Sequence, residues 1–217
     1  MLFSFVRSFK LSVCQPLMND SSFKKKNILL VFPGKYKAPD PQIPLSLLHL
    51  ASPLQRSGYS VRVFDMRIEN YKDLAIDDPV FVGISTMSGL QIQFGLEFAR
   101  KVREKNPSVP IVWGGVHPSL LPVQTIEDSN VDMVVRGEGD LVVSNLAETL
   151  YTGASLKKVK GLTYKEDGAI ISNPDAELIN LDEIPIELPF DLLKLDKYPA
   201  LKKGRIHIQT SRGCSGL

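Results

Sequence analysis

Asn27-Ile-Leu-Leu-Val-Phe32 is a short, continuous apolar run that ends at Pro33-Gly34. Continuous rather than alternating apolar residues are typical of a strand covered on both faces, as the strands of a parallel sheet are. The proline and glycine at its end favour a turn, because proline cannot donate a ladder hydrogen bond and glycine tolerates most backbone conformations. The run therefore predicts the first strand of an α/β domain.

The residues that follow alternate between strand and helix patterns. Helical spacing is clearest over 89–105, where Leu90, Phe94, Phe98 and Val102 recur every four residues. Further helices are predicted at 44–57, at 118–128 and after 137–140, and further strands at 60–65, 79–85, 109–113 and 131–135. Together these elements predict a flavodoxin-like, doubly wound, five-stranded parallel sheet of strand order 2-1-3-4-5 over residues 27–152.

The composition excludes several functional classes. Of the 217 residues, 43% are hydrophobic and 23% charged, as in an ordinary globular protein. The 26 Lys+Arg and 24 Asp+Glu residues leave a net charge of +2, which is too balanced for charge-driven nucleic-acid binding. No apolar run reaches the roughly 18 residues that a membrane span needs. Cys14 and Cys214 lie too far apart in sequence for a disulfide framework, which favours a reducing, cytoplasmic location.

Ligands of doubly wound sheets bind at the carboxyl ends of the strands, beside the point where the strand order reverses. The loops predicted there supply the candidate cofactor-binding residues: Pro33, Gly34, Ser85, Thr86, Met87, Ser88, Gly114, Gly115, His117, Pro118, Gly137, Glu138 and Gly139. Glycine lets a backbone approach a large, flat ligand closely, although each of these glycines could equally serve a tight turn. The chain has no phosphate loop, and Val142 stands where a dinucleotide fingerprint needs its third glycine.

Three segments lie outside the predicted sheet. Residues 1–26 are predicted to be a poorly ordered leader, and residues 153–205 to be a connector that contains a β-hairpin at 161–171. Residues 205–211 have the pattern of one more strand. Because that strand has no predicted neighbour, we expect residues 206–217 to begin a second domain that the chain leaves incomplete.

Six motifs carry a resemblance to a known family. In order, they are Pro44-Leu-Ser-Leu-Leu-His-Leu-Ala51, Val82-Gly-Ile-Ser-Thr86, Trp113-Gly-Gly-Val-His-Pro118, Val135-Arg-Gly-Glu-Gly-Asp140, Leu181-Asp-Glu-Ile-Pro185 and Thr210-Ser-Arg-Gly-Cys214. This order resembles the amino-terminal part of cobalamin-binding radical S-adenosylmethionine enzymes. The resemblance implies a cobalamin-binding domain, a connector and the first strand of a radical S-adenosylmethionine barrel.

The same resemblance implies the cofactors of a complete enzyme. In that family a C-x-x-x-C-x-x-C loop binds a [4Fe–4S] cluster and leaves one iron open for S-adenosylmethionine, and Cys214 matches its first cysteine. Reductive cleavage of S-adenosylmethionine gives a 5′-deoxyadenosyl radical, and cobalamin donates a methyl group or assists a redox rearrangement. A flavodoxin or ferredoxin would supply the electron. With one of three cluster thiolates, we expect the 217-residue chain to be inactive alone.

The expected corrin site departs from the D-x-H-x-x-G pattern of many corrinoid proteins. The stretch 33–39 after the first strand has no histidine, so we expect cobalamin to bind base-off, without a ligand from this loop. His117 lies on the ligand edge and could contact the corrin, whereas His49 and His207 are interpreted as packing or hydrogen-bonding residues. Two alternatives stay open, namely a non-catalytic corrinoid- or nucleotide-binding module and a cofactor-free interaction domain of the same fold.

Overall fold

A seven-stranded mixed sheet forms the centre of the computed structural model, which describes residues 25–74, 78–183, 187–209 and 211–212. The strands are β1 (Lys25–Phe32), β2 (Tyr59–Asp65), β3 (Val82–Ser85), β4 (Ile111–Gly114), β5 (Met133–Val135), β6 (Leu162–Glu166) and β7 (Ala169–Ser172). Their order is β2-β1-β3-β4-β5-β6-β7. The first five pair in parallel and in the predicted order 2-1-3-4-5, so the flavodoxin-like topology is confirmed.

The helices cover both faces of this sheet. They are α1 (Leu45–Arg56), α2 (Leu90–Lys105), α3 (Val116–Leu120), α4 (Pro122–Glu127), α5 (Asp140–Thr152) and α6 (Pro199–Lys202). One face packs against α1 and α5 through residues such as Leu47, Leu54 and Leu146, and the other packs against α2 through Phe98 and Val102. None of the helices in the described part of the chain has the length and apolar character needed to cross a membrane.

The sheet has seven strands rather than the predicted five. The hairpin β6–β7 was expected to belong to the connector, but β6 pairs antiparallel with β5 and extends the same sheet. Burial explains the difference, because Leu162 and Tyr164 on β6 are 0% and 1% exposed and join the core beside α5. Arg136 adds polar contacts, donating to Thr163 Oγ1 at 2.6 Å and to the carbonyl oxygen of Asn173 at 2.5 Å.

The connector folds back against the first two strands. Tyr198 is fully buried, and its hydroxyl donates to Asp65 Oδ2 at 2.9 Å. Asp65 also accepts from Arg67 Nε at 2.8 Å and from Arg67 Nη2 at 2.7 Å. Lys194 pairs with the buried carboxylate of Glu69. The connector is therefore held at the β2 edge by these polar contacts, which fix the position of the residues that follow Tyr198.

The strand predicted at 205–211 is wrong over residues 205–209, which form no strand and are exposed. A strand exists only where a neighbour completes its backbone hydrogen bonds, and the described residues offer none to this segment. The barrel strand expected from the resemblance is thus not formed over 205–209.

Candidate functional site

An apolar cavity of about 470 Å³ lies between the sheet and helices α1 and α5, towards the carboxyl ends of the parallel strands. The sheet supplies its floor through Leu30, Gly83, Val112 and Val135. The two helices supply its side walls through Leu47, Leu50 and Val143. This volume falls in the range of cavities that bind organic ligands of several hundred daltons. The fold therefore places a ligand-sized space at the edge where the sequence predicts one.

Six of the thirteen predicted cofactor-binding residues line this cavity: Ser85, Gly114, Gly115, Gly137, Glu138 and Gly139. The other seven lie outside the lining: Pro33, Gly34, Thr86, Met87, Ser88, His117 and Pro118. Gly34 gives room to a neighbour, since a Cβ there would lie 2.5 Å from Arg67 Cγ. The His117 ring is turned towards Ser88, with 3.4 Å between Nδ1 and Oγ.

The cavity glycines serve different purposes. Gly115 has a φ of +98°, and a Cβ there would lie 2.5 Å from the carbonyl oxygen of Thr86, so the backbone itself requires glycine. Gly137, at a φ of +72°, is also a turn position. Gly114 differs, because a Cβ there would meet nothing closer than 3.7 Å. Its missing side chain therefore leaves space in the cavity rather than relieving a clash.

Ser119 connects two of the cavity loops. Its hydroxyl donates to the carbonyl oxygen of Gly115 at 2.8 Å and accepts from the backbone N–H of Gly137 at 2.9 Å. Because Ser119 also lines the cavity, it fixes the spacing between the loops that follow β4 and β5. The sequence gives little warning of this role, since a serine in a short helix is a common residue with many uses.

One side of the cavity is polar. It is formed by His49 on α1, Asp140 at the start of α5, and Gln209 and Arg212 beyond the connector. Burial lowers the pKa of His49, and the positive charge of Arg212 lowers it further, while Asp140 and a hydrogen bond with Gln209 act in the opposite direction. An imidazole whose pKa is lowered is neutral at pH 7 and offers one donor and one acceptor.

Sequence reasoning missed most of this polar side. His49 was interpreted as a packing residue because leucines surround it in sequence, yet it lines the cavity. Asp140 closes the Gly137-Glu-Gly-Asp140 motif of the ligand edge, but the sequence analysis does not count it among the binding residues. The contribution of Gln209 and Arg212 has no local signal, because it depends on how the connector folds back.

The predicted cluster ligand Cys214 lies outside the described residues, as does Cys14. Among the described residues, no group of three His, Cys, Asp or Glu side chains is arranged to hold a metal ion.

Large apolar side chains surround the loops at this edge of the sheet. Met87, Leu90, Val116, Leu120 and Leu141 are 54–71% exposed. They stand on the loop after β3, on the first turns of α2 and α5, and at the two ends of α3. We call these five residues the apolar collar.

Comparison with known proteins identifies the class to which this fold and cavity belong. The sequence matches the family model of the B12 binding domain over residues 36–147, which is just over half of the chain. The chain belongs to the B12-binding domain family.

Two curated relatives extend the likeness beyond that domain. An uncharacterised methyltransferase of Pyrococcus horikoshii is 36% identical over 204 residues, covering 88% of this chain and 44% of the relative. The anaerobic magnesium-protoporphyrin IX monomethyl ester cyclase of Synechocystis sp. is 29% identical over 184 residues, covering 80% of this chain and 36% of the relative. The chain thus spans less than half the length of these relatives.

Solved structures agree on the fold. The radical S-adenosylmethionine methyltransferase TsrM of Kitasatospora setae, solved with cobalamin and a [4Fe–4S] cluster, superposes with a TM-score of 0.61 at 22% identity, over 71% of this chain and 30% of that one. The cobalamin-dependent radical enzyme OxsB, solved with aqua-cobalamin and S-adenosylmethionine, superposes with a TM-score of 0.59 at 24% identity. The match covers 70% of this chain and 22% of that one. This chain therefore shares the fold of the part of each enzyme on which it superposes.

Proposed function

We propose that this chain is the cobalamin-holding part of a radical S-adenosylmethionine enzyme, and that it binds cobalamin base-off at the cavity between the sheet, α1 and α5. The observation that carries the proposal is the cavity itself, with its apolar walls and its position at the carboxyl edge of the parallel strands. The reaction we favour for the whole enzyme is methyl transfer, since a relative 36% identical to this chain is named a methyltransferase.

The residues present fit cobalamin in two respects. Cobalamin joins a flat corrin to a nucleotide whose aromatic base must be buried elsewhere once it leaves the cobalt. A cavity of about 470 Å³ with walls of Leu47, Leu50 and Val143 suits such a base, because burying an aromatic ring in an apolar site is favourable. The loop after β1 supplies no histidine that could replace the base on the cobalt.

This chain's own residues bind and orient the cofactor. Gly114 lets the backbone approach it, and Ser119 holds the two glycine loops at a fixed spacing. Bound cobalamin would supply a carrier for a methyl group or an electron. We propose that Cys214 is a ligand of a [4Fe–4S] cluster that binds S-adenosylmethionine, that a flavodoxin or ferredoxin reduces it, and that the enzyme works in the cytoplasm.

Retention of cobalamin tests the proposal directly. The purified chain mixed with hydroxocobalamin should keep it through gel filtration, with the absorption spectrum of the base-off form. Gly114→Val should weaken binding at least tenfold, about 1.4 kcal/mol, because the new side chain occupies the cavity without a backbone clash. Ala154→Val is the matched control, since Ala154 is exposed and lies outside the cavity.

Absence of retained corrinoid from a protein with a cooperative melt would overturn the proposal and favour the cofactor-free interaction domain. Equal affinity of Gly114→Val and wild type would show that the ligand binds elsewhere. A base-on spectrum would contradict the base-off assignment alone.

The cluster assignment needs the full-length gene product. There, Cys214→Ala should abolish release of 5′-deoxyadenosine under anaerobic reduction, because two remaining thiolates cannot hold the cluster. Cys14→Ala is the control and should leave the release unchanged. A Cys214→Ala enzyme that still forms 5′-deoxyadenosine would remove Cys214 from the cluster.

A further inference from the structure

We infer that Gln209 and Arg212, which follow the connector, complete the ligand cavity, and that the ion pair between Arg212 and Asp140 positions them there. For the identity of the ligand the inference rests on the function proposed above. It adds binding residues from outside the matched domain, which ends at residue 147.

The ion pair has the geometry of a fixed contact. Arg212 Nη1 lies 2.9 Å from Asp140 Oδ2, and Nη2 lies 3.0 Å from Oδ1, so two parallel hydrogen bonds join the groups. The side chains of Arg212 and Asp140 are 15% and 8% exposed. Ion pairs on the surface contribute little, but a paired fork shielded from water holds both partners in one orientation.

The position of Asp140 strengthens this contact. Asp140 is the first residue of α5, where the unpaired N–H groups of the helix favour a negative charge. The start of α5 therefore favours the negative charge with which Arg212 pairs. The chain at residue 212 is fixed to the cavity wall through the Asp140 carboxylate, 72 residues away in sequence.

A second contact links the same segment to α1. Gln209 lies close enough to His49 to act on its pKa, and both residues line the cavity. The segment beyond the connector thus pairs with α5 through Asp140 and shares the cavity lining with His49 of α1.

The binding experiment uses Trp113 as its probe. It is the one tryptophan of the chain, it lines the cavity, and cobalamin absorbs where tryptophan emits. Titration with hydroxocobalamin should give dissociation constants at least tenfold higher for Arg212→Met and for Asp140→Asn than for wild type. The exchanged pair Asp140→Arg with Arg212→Asp should recover only part of the loss, since it restores an ion pair but places the positive charge at the start of α5.

Arg103→Met is the matched control. Arg103 is also a partly buried arginine paired with an aspartate, Asp132, but it lies outside the cavity lining. Its dissociation constant should stay within twofold of wild type even if its melting temperature falls. Should Arg212→Met or Asp140→Asn fail to fold, Gln209→Ala replaces them, with an expected loss of at least threefold.

A ligand-free readout separates this inference from the proposed function. Arg212 lowers the pKa of His49 and Asp140 raises it, so an NMR titration of His49 should shift upwards in Arg212→Met and downwards in Asp140→Asn. Glu138, the other carboxylate in the cavity lining, is present in both variants, so it does not account for a difference between their His49 titrations. A site that had only loosened would expose His49 to water and shift its pKa upwards in both.

The outcomes are distinct. A folded Arg212→Met protein that binds cobalamin within twofold of wild type overturns the inference. A His49 pKa that shifts in the same direction in Arg212→Met and in Asp140→Asn also overturns it. If wild type itself retains no cobalamin, the proposed function fails, and the opposite shifts of His49 still decide whether Arg212 and Asp140 form the wall of the cavity.

Discussion

Ser119 and Gly115 show how much of the candidate site depends on single residues. The Ser119 hydroxyl makes two hydrogen bonds that join the loops after β4 and β5. Gly115 adopts a left-handed backbone conformation that brings the same loop against Thr86. Each of the two residues can be tested without reference to the rest of the cavity.

Ser119→Ala should weaken cobalamin binding severalfold while changing the free energy of unfolding by only about 0.5–1.5 kcal/mol. The loss follows because the loops at Gly115 and Gly137 are no longer held together. Thr152→Ala is the matched control, since its hydroxyl likewise bonds the carbonyl oxygen four residues earlier but touches no loop. Titration and urea denaturation measure the two effects, and equal affinity of the two variants would contradict the role given to Ser119.

Gly115→Ala and Gly114→Ala should differ in stability although they are neighbours. The first places a Cβ 2.5 Å from a backbone oxygen at a φ of +98°, and such strain costs roughly 1–3 kcal/mol. The second meets only ordinary van der Waals contacts and should be nearly neutral. Equal melting temperatures in a thermal scan would show that the Gly115 backbone can relax. A loss of affinity in a Gly115 variant therefore reports on the fold rather than on ligand contact.

Among the elements, the connector carries a buried polar contact, between Tyr198 and Asp65. Burial and then the nearby Asp65 carboxylate raise the pKa of Tyr198 above its ordinary value of about 10. The folded chain therefore keeps the phenol proton at pH values where the unfolded chain loses it.

Stability should consequently fall above about pH 10, by up to about 1.4 kcal/mol per pH unit for this group. The sign follows from the raised pKa, since the stabilisation is complete below the unfolded pKa and is lost as the pH rises towards the folded one. Urea denaturation at pH 9 and pH 11 measures the fall, which should be smaller in Tyr198→Phe. Burial also raises the pKa of Tyr59, so Tyr59→Phe should likewise show a smaller fall in stability between pH 9 and pH 11. An unchanged slope in Tyr198→Phe would contradict the assignment.

The elements also show where sequence patterns suffice. Continuous apolar runs predict β1 to β5, because a strand buried on both faces has apolar residues throughout. One amphipathic stripe predicts α2, because a helix buried on one face has apolar residues at regular intervals. The same stripe predicts Leu90 to be buried, yet it is 70% exposed, since it lies at the ligand edge beyond the sheet. The hairpin fails for another reason, because strand patterns carry no information about which edge a strand joins.

For the whole molecule, the hairpin is the edge of the sheet beside α5 rather than an appendage. Tyr164 and Leu162 fill the core there, and Arg136 joins β5 to the hairpin and to Asn173. The folding unit we propose therefore reaches at least residue 173. A chain cut after β5 and α5 would expose both the apolar surface and the unpaired strand edge of β5.

A chain that ends at Thr152 should accordingly aggregate or melt without cooperativity, whereas a chain that ends at Gly204, which keeps the hairpin and the buried Tyr198, should melt cooperatively. Thermal scans and analytical ultracentrifugation of the two proteins make the comparison. A cooperative, monomeric 152-residue chain would show that the five parallel strands fold alone.

The site follows the same division between local and distant information. Glycine and serine loops at the carboxyl edge are visible in sequence because each follows a strand, and six of these residues line the cavity. Arg212 and Gln209 join them only through the path of the connector, which depends on buried contacts such as Tyr198 to Asp65. Pairing across 72 residues leaves no pattern in a single sequence.

The apolar collar has a practical consequence for handling the protein in solution. Five large side chains that stand 54–71% exposed offer an environmental dye such as anilinonaphthalene sulfonate a place to bind. Dye fluorescence is commonly taken as a sign of a molten state, yet here a chain with native tertiary structure should give it. Near-ultraviolet circular dichroism recorded on the same sample would separate the two, and detergent or glycerol in the buffer should keep the isolated chain from precipitating.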